Sequence, residues 1–257
     1  MWRLLYYLYG RRLARDIGRG PLPRHIGIIL DGNRRHGRQI GVTEPREIYD
    51  IGASKLDDVL DWCVEFAIPA VTLWVLSTEN FSRPAEKVSG ILAAVEAKLA
   101  ALARDPVIHR RRVRVRAIGQ LCLLPASLVA VIARAERATS AYDGVELNIA
   151  VAYGGRQEIV DAVQAMLSGM AAGGASLAEA AGQVTPEAIA RHLYTAGLPD
   201  PDLIIRTSGE IRLSGFLLWQ SAHSEFYFTD VNWPAFRKID FLRAIRTYQQ
   251  RRRRLGL

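Results

Sequence analysis

Short apolar runs alternate along the chain with longer stretches in which apolar residues recur at steps of three and four. The short runs are rich in β-branched or aromatic residues and predict six strands, at residues 26–30, 71–76, 113–118, 147–152, 203–205 and 226–228. The periodic stretches predict amphipathic helices at residues 48–64, 84–103, 126–141, 156–170, 186–194 and 236–254. Thr185 followed by Pro186 is typical of a helix start, because threonine caps the first turn and proline suits the first helical position.

The alternation of strands and helices predicts an α/β fold: a single domain with a mostly parallel six-stranded sheet flanked by helices. The Ala/Gly-rich stretch at residues 168–182 is expected to be a flexible excursion, since strand and helix patterns resume after it. Residues 1–20 are expected to form an amphipathic helical segment ahead of the domain at residues 21–257. This segment should dock on the protein itself; the alternative is contact with a membrane surface.

The composition adds an excess of arginine to this picture. The 257 residues include 34 Lys+Arg against 26 Asp+Glu, a formal net charge of +8, and only four of the basic residues are lysines. In the basic run at residues 109–116 arginine alternates with valine, which favours a half-buried strand over nucleic-acid binding, and no nucleic-acid-binding signature occurs. The forked guanidinium suits phosphate and carboxylate groups, so small acidic ligands are the expected partners.

The two cysteines, Cys63 and Cys122, are far apart and belong to no CxxC or Cys/His cluster. Neither a disulfide framework nor a structural zinc site is therefore expected. No apolar run approaches the roughly 18 residues that span a bilayer, and no small-residue cleavage site follows the N-terminus. We expect a cytoplasmic protein with at most peripheral membrane contact.

Polar residues follow four of the predicted strands, at residues 31–38, 77–84, 153–156 and 206–214. Ligands of parallel sheets bind at the carboxyl ends of the strands, so these segments predict the site. Asp31, followed by glycine and arginines at a helix start, suits a phosphate with Mg²⁺; the alternative is a capped Gly/Asn turn. Arg206, Arg212 and Ser214 form a second candidate anion cradle, or else surface salt bridges. Two cradles indicate two phosphorylated ligands or one long one, and no P-loop or GxGxxG motif supports nucleotide chemistry.

Four segments resemble, in order and spacing, the signature regions of the cis-prenyltransferases, the undecaprenyl diphosphate synthase family. They are HIGIILDGNRRHGR, TLWVLSTENFSRP, LNIAVAYGGRQEIVDA and PDLIIRTSGEIRLSGFLLWQSAHSEFYFTDVNWP. The resemblance covers about residues 22–254 and is strongest to the short-chain Z-isoprenyl diphosphate synthases. It implies Mg²⁺-dependent condensation of isopentenyl diphosphate with dimethylallyl, geranyl or farnesyl diphosphate to a short-chain Z-prenyl diphosphate.

Two alternatives remain within this resemblance: head-to-middle condensation or cyclisation of dimethylallyl diphosphate, and a non-catalytic partner subunit. Retention of the family's functional residues argues against the second. The resemblance also implies a homodimer built through the last strand and helices, where aromatic residues cluster around positions 226–233.

The resemblance assigns roles to individual residues. Asp31 matches the catalytic aspartate that holds Mg²⁺ and the allylic diphosphate, and Glu225 matches a second Mg²⁺ carboxylate. Asn80 matches a catalytic asparagine, interpreted as a positioning group because an amide is a poor base. Val75 and Leu76 are expected to set product length as the floor of a tunnel. The remaining matches bind substrate: Gly32, Asn33, Arg34, Arg35, His36, Tyr49, Ser77, Thr78, Glu79, Phe81, Arg83, Arg206, Arg212, Leu213 and Ser214.

Three of these positions depart from the family pattern. His36 and Phe81 stand where tryptophan is usual, and Tyr49 stands where histidine is common. The departures concern recognition of the allylic substrate more than the catalytic class. His36 is interpreted as a hydrogen-bonded ring filling the tryptophan site, with a titrating group beside the diphosphate as the alternative.

The segment Asp57-Asp58-Val59-Leu60-Asp61 reads as DDxxD, the metal–diphosphate motif of the all-helical trans-prenyl synthases. Its carboxylates lie opposite the apolar stripe of their predicted helix. We therefore interpret them as a solvated acidic face.

Overall fold

A computed structural model of the chain describes the backbone of residues 2–252 and the side chains of residues 8–251. The strands are β1 (His25–Ile29), β2 (Ala70–Trp74), β3 (Arg114–Ile118), β4 (Glu146–Ala150), β5 (Leu203–Arg206) and β6 (Glu225–Phe228). The helices are α1 (Trp2–Ile17), α2 (Asn33–Ile40), α3 (Pro45–Glu65), α4 (Ala85–Leu102), α5 (Pro106–Arg110), α6 (Ala126–Thr139), α7 (Gly155–Ala172), α8 (Leu177–Gly182), α9 (Pro186–Ala190) and α10 (Lys238–Arg252).

The six strands form one sheet in the order β3-β4-β2-β1-β5-β6, and every neighbouring pair is parallel. The predicted α/β fold is confirmed, and all six predicted strands are present. β1, β2 and β5 are buried at every residue, as expected of strands covered on both faces. β3, at an edge, keeps the predicted alternation of exposed Arg114 with buried Val115.

Two apolar layers cover the sheet. Along β1, Ile28 belongs to a large cluster that includes residues of α3, α4, α6 and α10. Its neighbour Ile29 belongs to a smaller cluster on the opposite face, with Trp74 and Phe216. Successive strand residues point to opposite faces, which is why adjacent isoleucines serve different cores.

The order in which strands are added to the sheet reverses at β1. β2 pairs with one side of β1 and β5 with the other, so that Ile29 lies between Trp74 and Arg206 at the carboxyl edge. Connections that leave in opposite directions open a crevice at this edge. The crevice brings the segments after β1, β2 and β5 together.

The helix α1 joins the large core. Leu13 and Ile17 are buried in it, and α1 packs against α10. The helix therefore docks on the protein over its second half, through the apolar residues of its inward face. Among the residues that the structure describes, no helix combines the length and apolar character needed to cross a membrane.

The expected excursion at residues 168–182 is wrong over most of its length. α7 continues to Ala172, and α8 follows after a short turn. The alanines that suggested flexibility are strong helix formers, and Ser176 with Glu179 forms a capping box that starts α8.

Other helix bounds differ less from the prediction. α9 begins as predicted, with the Thr185 side chain accepting a hydrogen bond from the Ala188 N–H, but ends at Ala190. α5 was not predicted. The end of the helix predicted to residue 254 lies outside the described residues. Both cysteines are free, with Cys63 buried and Cys122 exposed.

Candidate active site

A polar cleft of about 550 Å³ opens at the carboxyl edge of β1, β2 and β5. Its walls come from the segments that follow these strands and from the helices that these segments begin. The lining residues are Ile29, Leu30, Asp31, Gly32, Asn33, Arg34, Arg35, Arg38, Tyr49, Trp74, Val75, Leu76, Ser77, Glu79, Asn80, Arg83, Ile91, Arg206, Glu210, Arg212 and Ser214.

The turn after β1 depends on Gly32. This residue precedes α2 with φ +97°, a left-handed conformation that favours glycine. A Cβ here would lie 2.4 Å from the Asn232 side-chain oxygen. The Gly32 N–H donates to Asp31 Oδ1 at 2.7 Å, which orients the carboxylate at the start of the helix.

Asp31 is tied to β5 through Arg206. Arg206 Nη2 lies 3.0 Å from Asp31 Oδ2, and the Arg206 side chain is only 5% exposed against 35% for Asp31. The other guanidinium nitrogen, Nη1, donates to the Arg212 carbonyl at 2.5 Å and to Ser214 Oγ at 2.8 Å. One buried guanidinium therefore fixes the carboxylate and the 212–214 segment relative to each other.

Glu210 pairs with two arginines that line the cleft, Arg35 and Arg212. Its carboxylate accepts from Arg35 Nη2 at 2.6 Å and forms a second ion pair with Arg212. The hydrogen bond from Arg35, followed by that from Arg212, holds the pKa of Glu210 below its ordinary value. Sequence reasoning did not single out Glu210; its place between Arg206 and Arg212 in the polar segment after β5 was the available signal.

A second part of the cleft brings two arginines, Arg34 and Arg83, close together. Arg34 and Arg83 form no ion pair with any acidic residue that the structure describes. Burial, and then the charge of Arg34, lowers the pKa of Arg83. Burial raises the pKa of Tyr49, which lies close enough for both arginines to oppose that shift. An anion entering here would relieve the repulsion between the two guanidinium groups.

The segment after β2 folds into a 3-10 turn at Thr78–Ser82. The Asn80 side-chain amide donates to Ser77 Oγ, and Ser77 itself is buried beside the bridge to Tyr153. Asn80 is therefore held by a short local contact at the cleft wall. This geometry is consistent with a positioning group.

Four of the predicted substrate-binding residues do not line the cleft: His36, Thr78, Phe81 and Leu213. His36 is half-buried on α2. Phe81 packs against the large core and Leu213 against the small one. A Cβ at Gly154 would lie 2.7 Å from Thr78 Oγ1, which places this hydroxyl toward the β4–α7 turn.

Glu225 lies at the opposite edge of the sheet. It is the first residue of β6 and pairs with Leu203, the first residue of β5, whereas Arg206 at the cleft is the last. Its carboxylate accepts from Arg251 Nη1 at 2.8 Å. Parallel pairing therefore places Glu225 and Asp31 at opposite strand ends within one chain, and the role of Glu225 as a second Mg²⁺ carboxylate stays a prediction.

A smaller apolar cavity, of about 60 Å³, continues from the cleft between α3, α4 and the sheet. Five residues line both spaces: Leu30, Asn33, Tyr49, Val75 and Ile91. Beyond them the walls are formed by Gly52, Ala53, Leu56, Leu73, Ala94, Val95, Lys98, Ile149 and Trp233.

The two residues expected to form the tunnel floor both line the polar cleft. Val75 lies at the junction of the two spaces, and Leu76 lines only the polar cleft. The alternation along β2 and its extension turns Val75 toward the junction, while Leu73, two residues earlier, lines only the apolar cavity. The role of Val75 and Leu76 in setting product length stays a prediction.

The DDxxD segment takes no part in the cleft. Asp57, Asp58 and Asp61 have half-exposed side chains paired with Lys98, Lys55 and Arg111, respectively. The interpretation as a solvated acidic face is confirmed.

The side chains of the cleft suit a metal that is coordinated mainly by phosphate oxygens of a bound substrate. No cluster of three or more His, Cys, Asp or Glu side chains suited to a metal occurs among residues 8–251. Asp31 presents one partly exposed carboxylate beside several arginines. Mg²⁺ commonly binds through one or two carboxylates, phosphate oxygens and waters, so one carboxylate suffices when a diphosphate is present.

Comparisons with known proteins agree with this arrangement. The family described as "Putative undecaprenyl diphosphate synthase" matches residues 29–256. An isoprenyl transferase from Thermus thermophilus is 56% identical over 254 residues, covering 99% of this chain and 96% of that protein. A (2Z,6E)-farnesyl diphosphate synthase from Thermobifida fusca is 52% identical over 252 residues, covering 98% of this chain and 97% of that protein. The crystal structure of lavandulyl diphosphate synthase from Lavandula x intermedia, in complex with dimethylallyl diphosphate, is similar with a TM-score of 0.80 and 32% identity, over 89% of this chain and 95% of that one.

Proposed function

The chain belongs to the undecaprenyl diphosphate synthase family and is a cis-prenyltransferase, and from this premise we propose its reaction. The enzyme joins isopentenyl diphosphate to a short allylic diphosphate, with Mg²⁺ as cofactor, and releases a short-chain Z-prenyl diphosphate. The observation that carries the proposal is the shared wall between an arginine-rich cleft and a small apolar cavity. Such a wall suits a ligand with a diphosphate head and a hydrocarbon tail.

The allylic diphosphate would occupy the part of the cleft that carries unpaired charge. Arg34 and Arg83 face Asp31 there, with the N–H groups of the α2 start beside them. The tail would pass Val75 into the apolar cavity. Mg²⁺, held by Asp31 and the diphosphate oxygens, would stabilise the negative charge of the leaving diphosphate.

Isopentenyl diphosphate would occupy the side formed by Arg35, Arg212 and Ser214. Its diphosphate would replace Glu210 as the anionic partner of the two arginines. Arg206 would orient these groups through its contacts with Asp31, the Arg212 carbonyl and Ser214.

In the reaction the allylic C–O bond breaks and the diphosphate leaves with its electron pair. The double bond of isopentenyl diphosphate attacks the allylic carbon, and loss of a proton leaves the new double bond. The arginines stabilise the leaving group, which lowers the barrier by electrostatic stabilisation of developing charge. Asn80, anchored on Ser77, would position the isopentenyl group for proton loss.

A second candidate reaction is head-to-middle condensation of dimethylallyl units. It is favoured by the likeness to lavandulyl diphosphate synthase, whereas the higher identity to a farnesyl diphosphate synthase favours head-to-tail condensation. Product analysis separates the two reactions, because head-to-middle condensation yields a branched skeleton and head-to-tail condensation a linear one.

We also propose a homodimer through β6 and its flanking helices. β6 is an edge strand of the sheet, and Phe226, Tyr227 and Phe228 are only half-buried in the single chain. Light scattering coupled to size-exclusion chromatography tests this: a dimeric mass is expected, and a monomeric mass at working concentration contradicts it.

The reaction is tested by incubating the protein with isopentenyl diphosphate and each of dimethylallyl, geranyl and farnesyl diphosphate, followed by chromatography. Product is expected with at least one allylic substrate, and it should disappear on chelation of Mg²⁺ and in the D31A variant, whose folding is checked by circular dichroism. Absence of product with all three substrates would overturn the proposal.

A further inference from the structure

The apolar cavity ends at a charged side chain. Lys98 is the sole charged residue among the described residues that line it. It follows Ile91 on α4 by seven residues, about 10 Å along a helix. Since Ile91 lines both the cleft and the cavity, Lys98 lies at the end of the cavity that is remote from the cleft.

An ion pair with α3 holds this lysine in place. Lys98 Nζ lies 2.6 Å from Asp57 Oδ1 and 2.7 Å from Asp57 Oδ2. The Lys98 side chain is 17% exposed, whereas that of Asp57 is 53% exposed. The methylene stem therefore contributes to the cavity wall while the ammonium is directed to a solvated carboxylate, as is typical of a long amphipathic side chain.

The neighbouring acidic residues on α3 differ in this respect. Asp58 pairs with Lys55 on its own helix, and neither residue lines the cavity. Asp57 is thus the member of the acidic segment whose partner reaches into the apolar space. This difference supplies a matched control.

We propose that Lys98 and Asp57, here called the closing pair, end the space available to the prenyl chain and so limit the length of the product. The proposal rests on the proposed condensation reaction and assigns its length specificity. A longer chain would have to displace the lysine stem from between α3 and α4. It would also bring methylene groups against the ammonium, and covering a charge with hydrocarbon is unfavourable.

The closing pair stabilises the fold only weakly, because ion pairs with a half-exposed partner contribute little. Its effect is steric and positional. Along the cavity, α3 and α4 contribute the small residues Ala53 and Ala94, and α4 contributes the longer Lys98 one turn after Ala94. Removing the lysine side chain therefore extends the cavity along its existing direction.

Four single variants test the proposal: K98A, K98M, D57N and, as the control, D58N. Each is incubated with Mg²⁺, isopentenyl diphosphate in excess and the allylic substrate that the wild-type protein uses, and products are sized by reversed-phase chromatography with mass spectrometry. K98A is expected to lengthen the main product by at least one isoprene unit. K98M keeps an unbranched side chain but lacks the ammonium, and D57N keeps the lysine but removes the negative charge that it pairs with. Both variants are expected to give mixtures that contain the longer product, and D58N is expected to match the wild type.

The outcomes distinguish a failure of the proposed condensation reaction from a failure of the closing pair. A wild-type protein without product refutes the condensation reaction itself. An active wild type whose K98A variant, with an unchanged circular dichroism spectrum, gives the same product length refutes the closing pair. Lengthening in K98A with wild-type products from both K98M and D57N refutes the role of the ion pair.

Discussion

Arg206 Nη2 lies 3.0 Å from Asp31 Oδ2 and joins the end of β5 to the residues that follow β1. In the proposed reaction Asp31 holds the metal and the allylic diphosphate, and the buried Arg206 orients its carboxylate. The same guanidinium holds the Arg212 carbonyl and the Ser214 hydroxyl. The relative position of the two proposed diphosphate sites thus depends on one planar side chain.

The first prediction concerns the shape of that side chain. R206K keeps the positive charge but cannot hold Asp31, the Arg212 carbonyl and Ser214 with a fixed fork. We expect turnover to fall by about 100-fold, the size of effect seen when one preorganised electrostatic contact is lost. Steady-state kinetics measures this, and R104K, at an exposed turn residue outside the cleft, is the control. Wild-type turnover in R206K would contradict the role of the fork.

The second prediction concerns the junction of cleft and cavity. Because Val75 lines both spaces, V75F should narrow the passage and lower turnover with farnesyl diphosphate more than with dimethylallyl diphosphate. V75A should widen the junction without deepening the cavity, so product length should stay unchanged.

Competition between the two allylic substrates, followed by product sizing, measures both effects. V160F is the control, since Val160 is 46% exposed and outside both spaces. Longer products from V75A would assign Val75 the role of a floor.

The third prediction concerns stability and pH. His25 is fully buried, with Nδ1 2.7 Å from the Pro199 carbonyl and Nε2 2.8 Å from Thr72 Oγ1. Burial lowers the pKa of His25 below its ordinary value of 6.5. The unfolded chain therefore binds a proton at a higher pH than the folded one. The contribution of His25 is complete above pH 6.5 and is lost as the pH falls from there through the lower folded pKa.

Denaturant unfolding at a series of pH values between 7 and 5 checks this. The free energy of unfolding should decrease toward low pH with a slope of up to about 1.4 kcal/mol per pH unit for one proton. H25Q should reduce that slope, while H192Q, at an exposed histidine, should not. Equal slopes in the wild type and H25Q would refute the assignment.

Much of the fold followed from sequence because its signals are local. Six short runs of β-branched or aromatic residues and the intervening periodicity predicted the parallel sheet, and the polar residues after β1, β2 and β5 predicted where the cleft would be. The Ala-rich stretch was misjudged because alanine supports a helix without producing an apolar stripe. The capping box at Ser176 and Glu179 was the overlooked signal.

The parts of the site that sequence did not predict depend on distant contacts. Nothing local indicates that Lys98 reaches Asp57 across two helices, or that Glu210 bridges Arg35 and Arg212. Motif matching likewise grouped Glu225 with Asp31, although strand register separates them within one chain. Spacing along a chain gives the order of functional residues, whereas register and helix packing decide which of them meet.

The most direct test of the account is the structure of the product. The protein is incubated with Mg²⁺, isopentenyl diphosphate and the preferred allylic diphosphate, and the dephosphorylated product is examined by NMR. We expect a linear, short-chain alcohol in which every newly formed double bond is Z. A product with newly formed E double bonds, or a branched or cyclic skeleton, would contradict it.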